Sequence, residues 1–308
     1  MTTVAGPWFE DLTIGQVVDE APGVTLTVGL SAAHQAILAD RLRLPLDHHL
    51  SIAVAGGPTA HPGLVCDVAI GQSTLVTGRV KANLFYRGLV LHRLPQLGDT
   101  LRTSTEVVAL KQNSSGPTGL AALRVHTVDQ KGRTVLDFHR CAMLPLYDPD
   151  AKTGHQDDVK AVATEPSDFS RLLSSLDLDA FRRLVPGKHE ITEGEVFEIP
   201  GGDVVSNAPE LARLTLNVAT AHHDAPTRLV YGGHTIGLGA SHLSRALPNL
   251  VTVAGWHSCD HLAPVHEGDV LRSAVEVERV EGPLAHLRVT VSNQRGPVLD
   301  WRLVGVTA

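Results

Sequence analysis

The sequence predicts an α+β protein made of two similar halves, in each of which an antiparallel sheet wraps around a hydrophobic helix. Two observations support this fold class: an internal repeat, and in each half an apolar helical stretch that precedes three alternating strands. The length of 308 residues agrees with it, because chains of this size usually form two domains of about 150 residues.

The repeat is clearest at a Gly-Asp turn that starts a strand in each half. Residues 97–104 read LGDTLRTS and residues 267–274 read EGDVLRSA. Further matching segments follow in the same order in the two halves, namely 123–125 with 287–289 and 135–138 with 298–301. Each half is therefore predicted to end in a three-stranded meander, one face of which must be covered by other elements.

The cover is predicted to come from helices that precede the strands. In the first half these are residues 31–42, capped by Ser31, and residues 63–74; in the second half they are residues 210–221 and 234–246. Shorter helices are predicted at 169–173 and 178–184. A polar stretch between the two halves has few apolar residues, so we divide the chain into 1–148, a linker at 149–166, and 167–308.

Composition narrows the possible partners. Apolar residues make up 43% and charged residues 19%, which is typical of a globular protein. The formal net charge is −7 and no basic cluster occurs, so we expect no nucleic acid partner, although a local group of arginines could still bind an anionic ligand. No segment has the length and apolarity of a membrane span.

The cysteines and the N-terminus indicate the compartment. Cys66, Cys141 and Cys259 are odd in number and their spacing matches no metal site, which is typical of free thiols in a reducing environment. Residues 1–12 lack the basic start and apolar stretch of a signal peptide. We therefore expect a soluble cytoplasmic protein.

Several segments resemble a known family. The opening FEDLTIGQ at 9–16 is similar to the start of the MaoC-like dehydratases, which are enoyl-CoA hydratases of the hot-dog fold. The resemblance covers nearly the whole chain as a tandem, or double, hot-dog. Other runs are similar to the mesaconyl-CoA hydratase (β-methylmalyl-CoA dehydratase) group of that family; they lie at 60–74, 83–88, 208–217, 229–237 and 255–261.

The resemblance implies a reaction and a set of partners. It implies reversible syn addition of water to a 2-enoyl-CoA thioester, with mesaconyl-CoA and β-methylmalyl-CoA as the pair of reactants. It also implies that no cofactor is needed, since coenzyme A is part of the substrate, that no metal is used, and that the chain is a homodimer.

The family's active-site motif is an Asp followed five residues later by a His, and this chain departs from it in both halves. In the first half Asp40 stands in the Asp position, but the next stretch is two residues longer and places Asp47 in the His position. In the second half His222 stands in the His position and Asn217 in the Asp position, with His223 and Asp224 directly after. The resemblance thus transfers the His role more firmly than the Asp role, and we expect the second half to be catalytic.

The hydration that the resemblance implies also assigns chemical roles to these residues. The reaction needs a base for water, an acid for the α-carbon, and donors for the thioester oxygen. His222 or His223 with Asp224 could supply the first two, and Asn217 could hold the water. Gly232 and Gly233 precede a predicted helix, whose free N–H groups could hold the oxygen, so Tyr231, Gly232, Gly233 and His234 are the predicted substrate contacts.

A dicarboxylic substrate also calls for a cation. Arg87, Arg228 and Arg245 are the candidates for the free carboxylate, and Arg79 and Lys81 are candidates for the phosphates of coenzyme A. The sequence does not choose among them. His257, Asp260, His261 and His266 could suggest a metal site, but they fall on one strand and its turn, and we predict no metal there.

Each candidate also has a purely structural interpretation. The segment 222–224 could be an exposed loop, Gly232–Gly233 a tight turn, Asp40 a solvated helix end, and Asn217 an ordinary polar helix position. Three other functions stay open: hydration of another short acyl-CoA with (R) specificity, acyl-CoA thioester hydrolysis, and acyl-CoA binding without catalysis.

Overall fold

The computed structural model describes residues 6–163, 167–187, 190–199, 201–224 and 228–308. Within these ranges the strands are β1 (Val17–Val18), β2 (Val24–Thr25), β3 (Ala82–Leu91), β4 (Thr100–Gln112), β5 (Thr118–Val128), β6 (Thr134–Pro145), β7 (Val196–Glu198), β8 (Asp203–Val204), β9 (Leu250–His261), β10 (Val270–Glu281), β11 (Leu284–Asn293) and β12 (Gly296–Thr307).

The helices of the same ranges are α1 (Val28–Leu38), α2 (Arg43–Leu46), α3 (His48–Ala55), α4 (Pro62–Gln72), α5 (Leu178–Leu184), α6 (Ala208–Leu214) and α7 (Gly232–Ala246). Short 3-10 helices lie at Phe9–Asp11, Ser73–Leu75, Phe169–Ser175 and Thr220–His222. No helix among these described residues has the length and apolarity that a membrane crossing requires.

The strands form one twelve-stranded sheet whose order is β1-β4-β5-β6-β3-β9-β12-β11-β10-β7, with β2 beside β4 and β8 beside β10. The order is nearly symmetric about the antiparallel pair β3–β9, where Tyr86 lies opposite Cys259 and Leu89 opposite Trp256. Each half contributes the predicted meander, β4-β5-β6 or β10-β11-β12. The predicted α+β architecture of two sheet-wrapped helices is confirmed.

Helices α4 and α7 are the central helices of the two halves and pack against each other. Every residue of α4 is buried except Gly63, which is half-buried. Two glycines allow close approach around these helices. A Cβ at Gly233 of α7 would lie 2.1 Å from Oδ1 of Asp67 on α4, and a Cβ at Gly71 of α4 would lie 1.7 Å from the carbonyl oxygen of Thr215.

Two predicted helix boundaries are wrong. The cap of α1 is Thr27, whose hydroxyl accepts from the N–H of Leu30 at 3.1 Å, so the helix starts before Ser31. The helix predicted at 210–221 ends at Leu214, because Leu216 takes a left-handed conformation with φ 59°. Asn217 is therefore in a loop that follows α6 and not on a helix.

One hydrophobic core runs through both halves. Its buried members include Leu64 and Val65 of α4, Ile236 and Leu243 of α7, and residues of all the long strands. At the junction the ring of Tyr86 lies 5.8 Å from that of Trp256, which lies 5.3 Å from that of Trp301. The division at 149–166 stays a prediction; its described residues contain no helix or strand, and Gln112 of β4 donates its N–H to the carbonyl of His155.

Candidate active site

A cavity of about 390 Å³ lies where the two halves meet, beside the N-terminus of α7. The first half contributes Thr74, Thr77, Tyr86 and Arg140, and the second half contributes Asn217, His222, Tyr231, Gly232 and His261. A second cavity, of about 640 Å³, lies at the C-terminal end of α7, but none of the predicted catalytic residues lines it. The cavity at the junction is therefore the candidate active site.

His222 is held in one tautomer. Its Nδ1 lies 3.0 Å from the carbonyl oxygen of Leu229, and because a carbonyl oxygen only accepts, Nδ1 carries the proton and Nε2 is left with a free lone pair. Burial lowers the pKa of His222 below its ordinary value of 6.5; the hydrogen bond to Leu229 opposes this, and the nearby His223 and Arg140 lower the pKa further. The imidazole is consequently neutral at pH 7 and can accept a proton.

Asn217 lines the same cavity from a loop that is fixed at several points. Its side-chain oxygen accepts from the N–H of Ala219 at 3.0 Å, and its own N–H donates to the carbonyl of Ala212. The next N–H, that of Val218, donates to the hydroxyl of Thr74 at 3.0 Å. The 3-10 helix Ser73–Leu75, which follows α4 in the first half, thus positions a loop of the second half. The side-chain nitrogen of Asn217 takes part in none of these bonds.

His223 and Asp224 are placed differently from the prediction. The Nε2 of His223 lies 2.6 Å from the carbonyl oxygen of Asn217, so this ring is hydrogen-bonded to the loop that carries Asn217. The ring does not line the cavity. Asp224 is exposed, and the ring contacts found in the described part of the chain join His222 to Leu229 and His223 to Asn217, not to Asp224. The group that orients His222 is a backbone carbonyl, where the sequence had suggested a carboxylate.

The N-terminus of α7 faces the cavity through Gly232. The N–H of Gly232 has no acceptor among the described residues, as expected for the first turn of a helix. A Cβ at Gly232 would lie 2.7 Å from the ring of His261, so any larger residue would displace the helix or that ring. Gly233 instead packs on Asp67, and the hydroxyl of Tyr231 donates to Asp67 at 3.0 Å while its ring lines the cavity.

Two other predicted site residues lie outside this cavity. His234 is completely buried inside the protein with neither ring nitrogen paired among the described residues, and burial lowers its pKa to about 4. Asp40 is also buried; its carboxylate lies 3.3 Å from Nε2 of His61 and accepts from the N–H of Leu42 at 2.6 Å. Asp40 therefore forms a buried pair with His61 in the first half and does not line the cavity.

The three arginines proposed for a substrate carboxylate are already paired. Arg87 contacts Asp260 at 2.7 Å, Arg228 contacts Glu267 at 2.6 Å, and Arg245 contacts Asp203 at 2.5 Å. None of them lines the cavity. Lys81 does line it and is exposed at its rim, whereas Arg79 lies over the ring of Trp8 at 4.0 Å and donates to the carbonyl of Gly6.

Sequence reasoning missed Arg140 and Tyr86. Arg140 is only 3% exposed and Tyr86 only 1%, and both line the cavity from neighbouring strands. A signal for Arg140 was present, because the alternation of β6 places it on the same inward face as Phe138 and Ala142. A charged residue at an inward strand position is uncommon and indicates a special environment.

The histidine-rich strand β9 does not gather into a metal site. His257 stacks on His286 with ring centroids 5.2 Å apart, Asp260 binds Arg87, and His261 lines the cavity. Across the part of the chain that the structure describes, no three His, Cys, Asp or Glu side chains are grouped so that they could hold a metal ion.

Comparison with known proteins gives similar sequences and similar folds. No family model matches the chain. A mesaconyl-CoA hydratase from Cereibacter sphaeroides is 28% identical over 291 residues, which cover 90% of this chain and 84% of that protein.

Two solved structures are similar over their full length. A conserved hypothetical protein from Mycobacterium tuberculosis, which has a double hot-dog fold, is 51% identical, with a TM-score of 0.93 and 100% of both chains covered. A MaoC-domain dehydratase structure from Chloroflexus aurantiacus is 22% identical, with a TM-score of 0.88, and covers 100% of this chain and 99% of that one. The first likeness places the chain in one family with that double hot-dog protein, and the second supports the fold.

Proposed function

Because the chain belongs to the double hot-dog family of MaoC-like dehydratases, we propose that it is a hydro-lyase that adds water reversibly to the double bond of a 2-enoyl-CoA thioester. The observation that carries the proposal is His222, a neutral imidazole whose Nδ1 is bound to Leu229 and whose Nε2 has no partner among the described residues, in a cavity at the junction of the two halves. The similarity to a named hydratase over most of the chain supports the same reaction.

His222 serves in this proposal as both base and acid. Nε2 removes a proton from water while the water oxygen attacks the β-carbon, and the electrons of the double bond move toward the thioester oxygen. The resulting imidazolium then returns that proton to the α-carbon, so one water molecule is added and His222 is regenerated. Because a single imidazole acts from one side of the double bond, the two additions occur on the same face, which gives syn addition.

The N-terminus of α7 supplies the donor for the thioester oxygen. The N–H of Gly232 is without an acceptor among the described residues and points from a helix end, where the helix dipole favours negative charge. Charge that develops on the thioester oxygen during attack is stabilised there. The absence of a side chain at Gly232 leaves room for the ring of His261, which lines the same cavity.

Asn217 is proposed to hold the attacking water. Its oxygen is used by the N–H of Ala219, so its amide nitrogen is the group that can donate to a water oxygen. An amide cannot remove a proton, and Asn217 is therefore assigned to positioning. This division of labour differs from the Asp and His pair of the family motif and leaves His222 as the sole proton carrier.

We further propose mesaconyl-CoA as the substrate and β-methylmalyl-CoA as the product, on the basis of the named relative and the runs that resemble its group. No cofactor is required in this reaction, because the thioester itself activates the double bond. A homodimer and a cytoplasmic location remain proposals; the three free, buried cysteines suit a reducing compartment.

The test is the absorbance of the conjugated thioester after the purified protein is mixed with mesaconyl-CoA or, separately, with crotonyl-CoA. We expect loss of absorbance with mesaconyl-CoA in the wild type and a loss at least a hundredfold slower in His222→Gln. Loss of absorbance with crotonyl-CoA alone supports the hydration reaction but rejects mesaconyl-CoA as the substrate. Release of free thiol without hydration indicates a thioesterase. If neither hydration nor thiol release occurs but the protein still binds CoA, it is a binding protein.

A further inference from the structure

Arg140 is the charged group of the cavity that the proposed reaction leaves without a role. Its Nη2 donates to the hydroxyl of Thr77 and, at 3.5 Å, to the carbonyl oxygen of Ser73. Both groups lie just beyond the C-terminal end of α4, where the helix dipole favours a cation. These contacts fix the guanidinium in place, but neither of them neutralises its charge.

No carboxylate balances Arg140 among the described residues. The acidic groups that affect it most are the phenols of Tyr86 and Tyr231 and the thiol of Cys141. Burial raises the pKa of all three, so they are uncharged at pH 7. The Nε of Arg140 is buried as well and has no acceptor in the described part of the chain.

This arrangement is unusual within the molecule itself. Arg87 is paired with Asp260, Arg93 with Asp99 and Asp129, and Arg295 with Asp269, although all of these arginines are more exposed than Arg140. An unpaired charge in the interior is costly, because it has lost its hydration without gaining a counter-ion. An unpaired buried cation in the wall of a cavity therefore indicates that a bound anion completes the site.

We propose that Arg140 binds the free carboxylate of the acyl group, with the hydroxyl of Tyr86 beside it, and so selects dicarboxylic over neutral acyl thioesters. This inference rests on the proposed function for the identity of the ligand as an acyl-CoA. A guanidinium fits a carboxylate in a bidentate way, and a neutral phenol can add a further donor.

The position of Arg140 suits a short acyl group. Arg140 and His222 line one cavity of about 390 Å³. A carboxylate held by Arg140 and a double bond that faces His222 therefore belong to the same cavity. Lys81, at the rim, is left for the phosphates of coenzyme A, so the two cations serve opposite ends of the ligand.

The test uses two unreactive thioesters that differ only in this end, succinyl-CoA and butyryl-CoA, and measures their binding to the full-length protein by calorimetry. We expect wild type to bind succinyl-CoA roughly 10- to 100-fold more tightly, and Arg140→Met to lose that preference. Lys81→Met is the matched control; it should weaken both ligands by the same factor and keep the preference. The preference should also persist at high salt, because the site is buried.

Equal binding of the two ligands by wild type, or an unchanged preference in a folded Arg140→Met, overturns the inference even if the protein hydrates enoyl-CoA. A succinyl-CoA preference that depends on Arg140, in a protein that hydrates no enoyl-CoA, keeps the inference and rejects the proposed function. If Arg140→Met does not fold, Arg140→Lys decides; it keeps the charge but not the bidentate geometry, so we expect it to reduce the preference without abolishing it.

Discussion

The Nδ1 atom of His222 lies 3.0 Å from the carbonyl oxygen of Leu229, and this one contact fixes which ring nitrogen can act as a base. A carboxylate in that position would hold the same tautomer but would also stabilise the protonated ring. A neutral carbonyl orients the ring with a weaker effect on its charge, and burial then keeps the pKa of His222 below 6.5. The base is therefore ready in its neutral form across the neutral pH range.

The first prediction concerns the pH dependence of hydration. The active form of His222 is the neutral one, so kcat/KM should be at its plateau above the pKa of His222 and should fall as pH decreases through it. Because burial lowers that pKa from 6.5, the fall should be centred below pH 6.5. Initial rates over a range of pH measure it. His49→Gln, a change of an exposed histidine, should leave the profile unaltered, and a fall centred above pH 6.5 would contradict the assignment.

The second prediction tests the altered motif by Asn217→Asp. Asn217 and His222 line the same cavity, so a carboxylate at position 217 should favour the protonated imidazole and raise the pKa of His222. We expect the acidic limb of kcat/KM to move to higher pH, and the rate at pH 6 to fall relative to the rate at pH 8. Asn217→Ala is the matched control, since it removes the amide without adding charge; it should lower kcat and leave the limb in place. If the acidic limb of kcat/KM does not move in Asn217→Asp, residue 217 does not act on the titration of His222 and the prediction is contradicted.

Much of the fold could be predicted because it depends on local patterns that occur twice. Asp99 and Asp269 follow glycines with positive φ, and each accepts hydrogen bonds within its own turn, Asp99 from the N–H of Gln96 and Asp269 from that of His266. Such turns are encoded by a few adjacent residues, so the repeat of Gly-Asp before alternating strands was sufficient. The placement of Asn217 and His222 beside one cavity likewise followed from the motif that the sequence resembles.

The rest of the site could not be predicted because it depends on partners that are distant in sequence. Arg87 and Arg140 look alike in the sequence, yet Arg87 meets Asp260 whereas Arg140 meets no carboxylate among the described residues. That difference is decided by which strands become neighbours. Asp224 is close to His222 in sequence, but it is exposed, and the carbonyl of Leu229 contacts the ring instead.

The third prediction concerns the close approach of α4 to the loop that carries Asn217. In Gly71→Ala the new Cβ would lie 1.7 Å from the carbonyl oxygen of Thr215, so the loop must move. We expect a loss of about 1–3 kcal/mol in the free energy of unfolding, together with a lower kcat, because Asn217 is two residues further on. Urea unfolding and initial rates measure the two effects. Gly29→Ala is the control, because a Cβ at Gly29 would lie 3.9 Å from its nearest neighbour, the hydroxyl of Thr27. It should leave kcat unchanged and alter the free energy of unfolding by no more than about 1 kcal/mol.

The fourth prediction distinguishes the two halves through Asp40→Asn. Asp40 is buried against His61; burial alone would raise the pKa of Asp40, but the charge and hydrogen bond of His61 and the N–H of Leu42 outweigh it and leave the pKa below 3.8. Removing one partner of such a pair should cost about 3 kcal/mol at pH 7. Because the folded pKa is depressed, this stabilisation is present above about pH 4 and is lost as pH falls through the folded pKa, so the stability difference from wild type should shrink in acid. Activity should stay within about threefold of wild type at a temperature where the variant is folded, since Asp40 does not line the cavity. A hundredfold loss of kcat in a variant that is folded would instead place the acid–base chemistry at the Asp40–His61 pair in the first half.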